Sequence, residues 1–540
     1  MSVPSLPTVS TLNALLDAHL AAHPERTAFI DGDNTLSYAD FDTRAENAAR
    51  WLESQGIGAG DRVAVWLVNR IEWLALLFGA ARIGATIVAV NTRYRRAEVE
   101  YILSKSGAKM LVLQLNFRKI DFPAELGGVS PEAVPALKSI AVIDHDENTP
   151  ASMLGVPTVD CDLSPAPGSP GDRSGAHADA PVILFTTSGT TKAPKLVVHP
   201  QRTIATHSRR AADAYGFAEP GAVMLAALPF CGVFGLNGAL AAFTAGAPVV
   251  LIDTFDGPEG ARLIQHHRVT HTFGSDEMYR RLLDAAGGER PFPSARVFGF
   301  AAFQPGLSSF AATASERGMP LIGLYGSSEV QALFSLQLTD APFDRRIEGG
   351  GYPASKHEAE IRIRDLETGA LLPPGVSGEI EISSPCNFVS YLGNPDATAE
   401  ALTPDGFFRT GDIGQLREDG SFIYETRKGD TIRLSGFLVN PVEIEDEIKA
   451  LDGVDDAQVV SVELNGQARP VAFVIAHAGR TIDQAAVIGA VKAKIAAFKV
   501  PARVWSVSEF PVTQSSNGVK IQRARLREMA LTRVLAEAAQ

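Results

Sequence analysis

Short apolar runs that alternate with segments of helical period constrain this chain more than any other feature. Leu12, Leu15, Leu16 and Leu20 share one helical face. Ser37, with Asp40 three residues later, has the form of a capping box and opens a helix through Phe41, Ala45, Ala48 and Leu52 to Gly56. Strand-like runs follow at 62–67, 85–90 and 110–113, with helical runs between them. A strand that returns parallel to its predecessor needs a crossover, and a helix is the usual one. The rhythm predicts an α/β fold of mostly parallel sheets with helices on both faces. No internal repeat is visible, and 540 residues leave room for about three to four folding units.

Between Ala222 and Ile252 there is no charged residue, a stretch long enough to span a bilayer. Pro229, Gly232, Gly235, Gly238, Gly246 and Pro248 punctuate it, so it reads as buried strand, loop, helix and strand. The first residues, Met1-Ser-Val-Pro-Ser-Leu-Pro7, carry neither the basic flank nor the apolar core of a secretory signal. The expectation is a cytoplasmic protein with no integral membrane segment. Lys and Arg total 49 against 62 Asp and Glu, a net charge of −13. Nucleic acid is therefore not an expected partner, and any polyanionic ligand needs a local basic site. Cys161, Cys231 and Cys386 are too few and too scattered for a disulfide framework or a zinc site, which fits a reducing compartment. His266, His267 and His271 lack metal-ligand spacing and belong to a helix end and a following strand.

Residues 164–181, rich in Pro, Gly, Ser, Ala and Asp, read as an exposed linker. The Gly- and Asp-punctuated run 405–422 predicts hairpins. Beyond about Lys428 the pattern restarts, with strands near 457–464 and 471–477, a helix near 483–498 and a basic tail over 520–533. The remainder is long enough for a separate domain, dividing the chain into 1–428 and 429–540.

One apolar run, Val182-Ile-Leu-Phe-Thr, leads into Thr187-Ser-Gly-Thr-Thr-Lys-Ala-Pro-Lys195. The hydroxyls of Thr187, Ser188, Thr190 and Thr191, with the backbone freedom of Gly189, suit an anion, and Lys192 and Lys195 supply charge. The P-loop pattern G-x-x-x-x-G-K-[ST] is absent. Taken alone, the segment is equally a Ser/Thr-rich turn after a strand. It resembles the signature T-S-G-[ST]-T-G-x-P-K of the AMP-binding, adenylate-forming enzymes, with Lys192 where that family usually has glycine. Four further segments resemble the family's motifs in the same order. They are Tyr325-Gly-Ser-Ser-Glu329; Thr410-Gly-Asp412; the stretch from Arg427 through Gly436 to Glu445; and Asn517-Gly-Val-Lys-Ile-Gln522. Each in isolation is a solvated turn. Together they span positions 187 to 520, and similarity is also visible at Gly60-Asp-Arg-Val-Ala-Val65 and Asn91-Thr-Arg-Tyr-Arg95.

The resemblance implies a large N-terminal domain with a β-barrel-like subdomain, and a small mobile α+β C-terminal domain. It implies phosphate contacts from Thr187, Ser188, Gly189, Thr190, Thr191 and Lys195. Tyr325, beside Gly326, would stack on adenine, Ser328 would touch phosphate, and Glu329 would bind Mg²⁺, a hard cation that prefers oxygen ligands. Asp412 would accept from both ribose hydroxyls, and Arg427 would reach ribose or phosphate. The hinge position falls on Gly429, where the family usually has Asp or Lys. Ser435 and Gly436 would border a pantetheine tunnel, and Lys520 would bridge the substrate carboxylate and the α-phosphate. The catalytic set is Lys520, Glu329 and Lys195.

The chain departs from the family's L-P-x-F-H pattern. It reads Leu228-Pro-Phe-Cys-Gly-Val-Phe-Gly235, with Cys231 and Gly232 in place of an aromatic–His pair. Phe230, Phe234, Phe300 and Ala301, together with Cys231 and Gly232, are the expected acyl-pocket residues, with plain core packing equally open for Phe300 and Phe303. Cys231, in apolar surroundings, is expected to be an inert thiol. The implied reaction is ATP-dependent ligation of a small-molecule carboxylic acid to coenzyme A through an acyl-adenylate, with Mg²⁺. Another acceptor (an amine or a carrier-protein thiol) and a catalytically silent nucleotide-binding protein are the alternatives. A homodimer would fit the family.

Overall fold

A computed structural model of the chain describes all residues except 1–5, 7, 118–119, 165–175, 188–193, 301–306, 429–431, 435–436, 465–466, 496, 516–517 and 539–540. The strands Arg62–Trp66, Thr86–Ala89 and Met110–Gln114 form where the alternation placed them. They pair in parallel at the centre of a nine-stranded sheet. Parallel pairing extends to Ser139–Ile143 and Val156–Asp160 on one side and Pro181–Thr186 on the other. Beyond Pro181–Thr186 the sheet turns antiparallel through Leu196–Pro200 and the short edge strand Ser390–Tyr391. The expected linker thus ends where a strand begins, at Pro181, and its residues 165–175 lie outside the described residues.

The second sheet has thirteen strands. One half is parallel and includes Met224–Ala226, Val249–Leu251, His271–Gly274, Val297–Phe300 and Leu321–Ser327. The other half is antiparallel, from Gln331–Leu336 through Gly350–Pro353, Phe422–Arg427, Phe408–Leu416 and Gly378–Ser383 to Glu360–Arg364. The β-barrel-like subdomain that the resemblance implies, without bounds, corresponds to this antiparallel run. It is hydrogen-bonded into the second sheet rather than set apart from it.

The uncharged stretch folds as strand, loop, helix and strand, with the helix Val233–Thr244 buried along its whole length. A helix apolar on every side belongs in a core. Its core spans both sheets and includes the helices Tyr38–Ser54 and Ile71–Ile83. Among the described residues, no helix is long and apolar enough to cross a membrane. The predicted capping box is present, with Asp40 N donating to Ser37 Oγ at 3.1 Å and Ser37 N donating to Asp40 Oδ2 at 2.9 Å. His266 ends a helix and His271 opens a buried strand.

From Ile432 onward the chain builds separate hydrophobic clusters around the sheet Val454–Leu464, Gln467–Ala476 and Arg503–Ser506. Glu445, fully buried there, takes both terminal nitrogens of Arg523, at 2.6 and 3.0 Å. A buried carboxylate needs such a partner.

Two glycines, one in the core and one exposed, give measurable consequences. A Cβ on Gly235 would lie 2.3 Å from Pro229 O and 2.5 Å from Leu228 O, so the helix Val233–Thr244 can approach the preceding turn only with glycine there. Gly235→Ala is expected to destabilise by about 1–3 kcal/mol. Gly489→Ala, on an exposed helix face with nothing within 4 Å of the new methyl, should be neutral or stabilising by up to about 1 kcal/mol. Thermal melts of the two variants check this.

His199, His207 and His271 are buried and their imidazoles are held down to about 4 by loss of hydration. An unfolded imidazole titrates near 6.5. Between these values the unfolded chain takes up protons that the folded chain refuses. Stability is therefore full above about pH 6.5 and declines as pH falls towards 4, by up to about 1.4 kcal/mol per pH unit for each histidine. Denaturant midpoints at pH 7.5, 6 and 5 should fall in that order, and His271→Gln should flatten the decline.

Candidate active site

One parallel-paired strand of each sheet, Pro181–Thr186 and Leu321–Ser327, leads into one cleft, and strand ends are where ligands bind in open α/β folds. The cleft measures about 1290 Å³, and its walls include Thr187, Lys195, Gly326, Ser328, Glu329 and Arg427. These residues come from three separate stretches of sequence.

At the first sheet, the strands Pro181–Thr186 and Leu196–Pro200 form a hairpin whose loop is pinned at its base. Thr187 N donates to Lys195 O at 3.0 Å, and Lys195 N donates to Thr187 Oγ1, also at 3.0 Å. Ser188, Gly189, Thr190 and Thr191, expected to cradle phosphate, lie outside the described residues. The ammonium of Lys195 sits 4.4 Å from the centre of the Tyr391 ring. That contact exists because the edge strand Ser390–Tyr391 pairs Tyr391 with Val197.

At the second sheet, the strand Leu321–Ser327 shifts its register around Gly326, where a Cβ would stand 2.6 Å from both Ala332 Cα and Gln331 O, and a turn follows it. The turn carries Ser328 and Glu329. Glu329 Oε1 accepts from the Tyr391 hydroxyl at 2.9 Å. Burial, and then the Glu329 carboxylate, push the Tyr391 hydroxyl well above its usual pKa. Below the turn lies a chain of buried polar groups. His199 Nε2 lies 2.7 Å from Ser328 O, while its Nδ1 faces Gln331 Nε2 at 2.9 Å. Gln331 Oε1 accepts from Asn237 Nδ2 at 3.1 Å, and Asn237 Oδ1 accepts from Ala332 N at 3.0 Å. The neutral state of His199 requires one nitrogen to donate and the other to accept, which this arrangement satisfies.

Tyr325 and Asp412 meet each other. The Tyr325 hydroxyl donates to Asp412 Oδ2 at 2.6 Å, and Arg427 Nε pairs with Asp412 Oδ1 at 2.8 Å. Both Tyr325 and Asp412 are buried, behind Gly326, Thr410 and Gly411 of the cleft wall. The Tyr325 ring stands edge-on to Phe422 at 5.3 Å. Burial first, and Asp412 next, push its hydroxyl far up, while Asp412 holds the Arg427 guanidinium charged.

Of the residues expected at the acyl pocket, Phe234 reaches the cleft, beside Val233 and Leu324. Phe230 is buried with its ring centre 5.8 Å from that of Trp73, and its N–H donates to Asn69 Oδ1 at 2.7 Å. Phe300, the last residue of its strand, is fully buried in a separate core with Phe298 and Leu321. Alternation along the strand turns its side chain to the helix layer, so core packing is what the structure gives it. Cys231 is buried, and burial pushes its thiol up to about 11. Gly232 caps the helix Val233–Thr244 through its backbone alone. Ala301, Phe303, Gly429, Ser435 and Gly436 lie outside the described residues, as does the side chain of Lys520, whose backbone belongs to the strand Gly518–Ile521.

Sequence reasoning missed Tyr391, His199, Gln331, Asn237 and Asn69. Each acts through a partner more than sixty residues away in the chain, and none carries a local signature. Asn69 is typical: its Nδ2 donates to Leu228 O at 2.8 Å and to Ala226 O at 3.2 Å, which fixes the turn before Cys231.

The described carboxylates, histidines and cysteines form no group of three or more able to hold a metal. Glu329 on the cleft wall suits Mg²⁺, which keeps most of its waters and is held by one or two carboxylates together with substrate phosphates. A structure of ATP-bound MatB from Rhodopseudomonas palustris is 26% identical to this chain, with a TM-score of 0.80, over 95% of this chain and 98% of that one. The 2-hydroxy-7-methoxy-5-methyl-1-naphthoate–CoA ligase of Streptomyces carzinostaticus is 30% identical, covering 95% of this chain and 93% of its own. The fatty acid–[acyl-carrier-protein] ligase ScoC of Streptomyces coeruleorubidus is 29% identical, covering 97% of each chain. The profile of the AMP-binding enzymes matches residues 16–392, and that of the AMP-binding enzyme C-terminal domain matches residues 443–517. The chain belongs to the AMP-binding enzyme family.

Proposed function

We propose that this protein is an AMP-forming ligase that joins a carboxylic acid to the thiol of coenzyme A through an acyl-adenylate. The observation that carries the reading is the convergence of Thr187, Lys195, Ser328, Glu329 and Arg427 on one cleft. That set offers cations and hydroxyls to phosphates and one carboxylate to a hard cation.

A carboxylate is a poor electrophile at neutral pH because its leaving group would be an oxide. ATP removes this obstacle. A carboxylate oxygen attacks the α-phosphorus, the bond from that phosphorus to the bridging oxygen breaks, and pyrophosphate departs with the negative charge. The thiol sulfur then attacks the acyl carbon, the acyl–phosphate oxygen bond breaks, AMP leaves and the thiol proton is released. In the first step two anions must be brought together, so positioning and charge compensation are the protein's main tasks. Lys195 and Lys520 would meet the reacting anions. Asp412 and Arg427 would hold the ribose and phosphate side of the nucleotide, with Tyr325 at the base. Magnesium held at Glu329 would neutralise the departing pyrophosphate.

The acid's body would lie toward Val233, Phe234 and Leu324, which suits an alkyl or aryl group. A charged thiolate at Cys231 has no part in this reading, since burial disfavours it. We place the domain boundary at 428–429. The C-terminal unit would present Lys520 for the first step, then turn about Gly429 and present Ser435 and Gly436 for the second. Glycine has the backbone freedom a pivot needs. The separate cores on either side of that segment support two bodies. A cytoplasmic setting, where ATP and coenzyme A are at hand, follows from the reading.

A carrier-protein thiol is the second reading, favoured by the full-length similarity to ScoC. Pyrophosphate release should be measured with ATP, Mg²⁺ and a panel of alkyl, aryl and dicarboxylic acids, each with and without coenzyme A, with products identified by mass. Acyl-CoA from an alkyl or aryl acid is expected. Acyl-adenylate without acyl-CoA would redirect the acceptor to a carrier protein. Absence of pyrophosphate with every acid would refute the ligase reading.

Lys520→Ala separates the half-reactions. It should lower adenylation by at least about a hundredfold while leaving thioester formation from a supplied acyl-adenylate largely intact. Equal loss of both would sink the two-orientation account.

A further inference from the structure

Tyr391 touches two oppositely charged groups on the cleft wall. Its hydroxyl donates to Glu329 Oε1 at 2.9 Å, and its ring carries the Lys195 ammonium 4.4 Å from the ring centre. Among the described residues, no ion pair within 4.0 Å joins Lys195 to Glu329. Left to themselves in a partly desolvated cleft, an ammonium and a carboxylate so placed would attract strongly and neutralise each other. Tyr391 engages both of them instead. Its face accepts the cation, and its polar end holds the anion.

The tyrosine is itself well fixed. It is buried, its N–H donates to Thr398 Oγ1 at 3.0 Å, and its strand pairs it with Val197. Its ring packs against Phe388 with centres 4.8 Å apart. Glu329 is anchored from the other side, since its carbonyl accepts from Phe388 N at 2.7 Å. With Oε1 occupied by Tyr391, the second carboxylate oxygen remains for a cation. Hydrogen-bond partners of this kind orient a ligating carboxylate, and their loss commonly weakens metal binding by 10–100-fold.

Resting on the ligase reading above, we propose that Tyr391 is a positioning residue that holds Glu329 and Lys195 apart and aims them separately at the cation and the phosphates of MgATP. It makes no bond to the reacting atoms. Its two contacts have separable consequences. The hydroxyl serves the metal through Glu329, and the ring serves the phosphates through Lys195.

The test is calorimetric titration of the full-length protein with ATP in Mg²⁺ and with ATP in EDTA. Wild type should bind MgATP more tightly than metal-free ATP. Tyr391→Phe keeps the ring and should weaken MgATP by about tenfold while leaving metal-free ATP little changed. Tyr391→Leu removes both contacts and should weaken both forms. Glu329→Gln provides a reference, because adding Tyr391→Phe to it should cause no further loss of metal dependence. A Tyr391→Phe protein that binds MgATP as wild type does, or losses that simply add in the double variant, would overturn the proposal while leaving the ligase reading intact. Wild-type binding indifferent to Mg²⁺ would overturn both the role of Glu329 and that of Tyr391.

Discussion

The carboxylate of Asp412 is the point on which the rest of the cleft depends. A charge this deeply buried is tolerated only when it is paired and hydrogen-bonded. It receives a hydroxyl from Tyr325 at 2.6 Å and a guanidinium from Arg427 at 2.8 Å. Tyr325 lies on the strand Leu321–Ser327, where the parallel half of the second sheet gives way to the antiparallel half. Asp412 and Arg427 face each other across the hairpin farther along that half. One buried anion therefore ties the two halves of the sheet together. Gly411, at φ +68°, adopts the left-handed conformation, and its carbonyl accepts from Lys428 N at 2.8 Å. Lys428 Nζ also pairs with Glu379 at 2.9 Å. The chain is thus held up to the residue before the proposed pivot, and any swing of the C-terminal unit starts from a fixed point.

The turn bearing Glu329 rests on a second buried device. Gln331 and Leu333 adopt φ values of +72° and +61°, a region that residues with side chains seldom occupy. Such conformations cost about 1–3 kcal/mol each and persist only where surroundings over-determine them. Here they do. Both ends of the Gln331 amide are engaged, one by His199 and one by Asn237. Ala332, between the two unusual residues, is held at its N–H by Asn237 and at its carbonyl by His207 at 2.6 Å. The strain buys a turn whose carboxylate is placed by a rigid, uncharged support. Neutral histidines suit this position, because a cation below the turn would pull the Glu329 carboxylate away from the cleft.

Much of this was legible in the sequence, and the exceptions share a cause. Local pattern found the capping box at Ser37, the parallel strands around residues 62–113, and the buried strand–helix–strand within 222–252. Each depends on periodicity or on neighbours three residues away. Resemblance to a family pointed to Lys195, Glu329, Asp412 and Arg427 as the proposed site residues, because motif residues are marked by their neighbours in the chain. Tyr391 carries no such mark. It matters because an edge strand pairs it with Val197, nearly two hundred residues earlier. His199 and Gln331 likewise meet only after both sheets have formed. Phe300 failed in the opposite way, since bulk near a pocket motif looks the same in sequence whether the side chain faces the cleft or the core.

The turn Leu228–Gly232 departs from the family pattern at a position where the backbone does not require it. Asn69 holds the carbonyls of Ala226 and Leu228 and the N–H of Phe230, so the turn is fixed by groups outside the motif. Gly232, at φ −101°, adopts a conformation open to any residue. The glycine is therefore not demanded by the backbone, whereas Gly235 is demanded by the contact of its helix with Pro229 O. What the change from an aromatic–His pair removes is a titratable ring. What it leaves is a neutral, buried thiol beside Val233 and Phe234. Val233 and Phe234, on the cleft wall, offer apolar contact there. Under the proposed reading, neutralisation of the reacting carboxylate then needs a cation from elsewhere on the wall, where Lys195 lies.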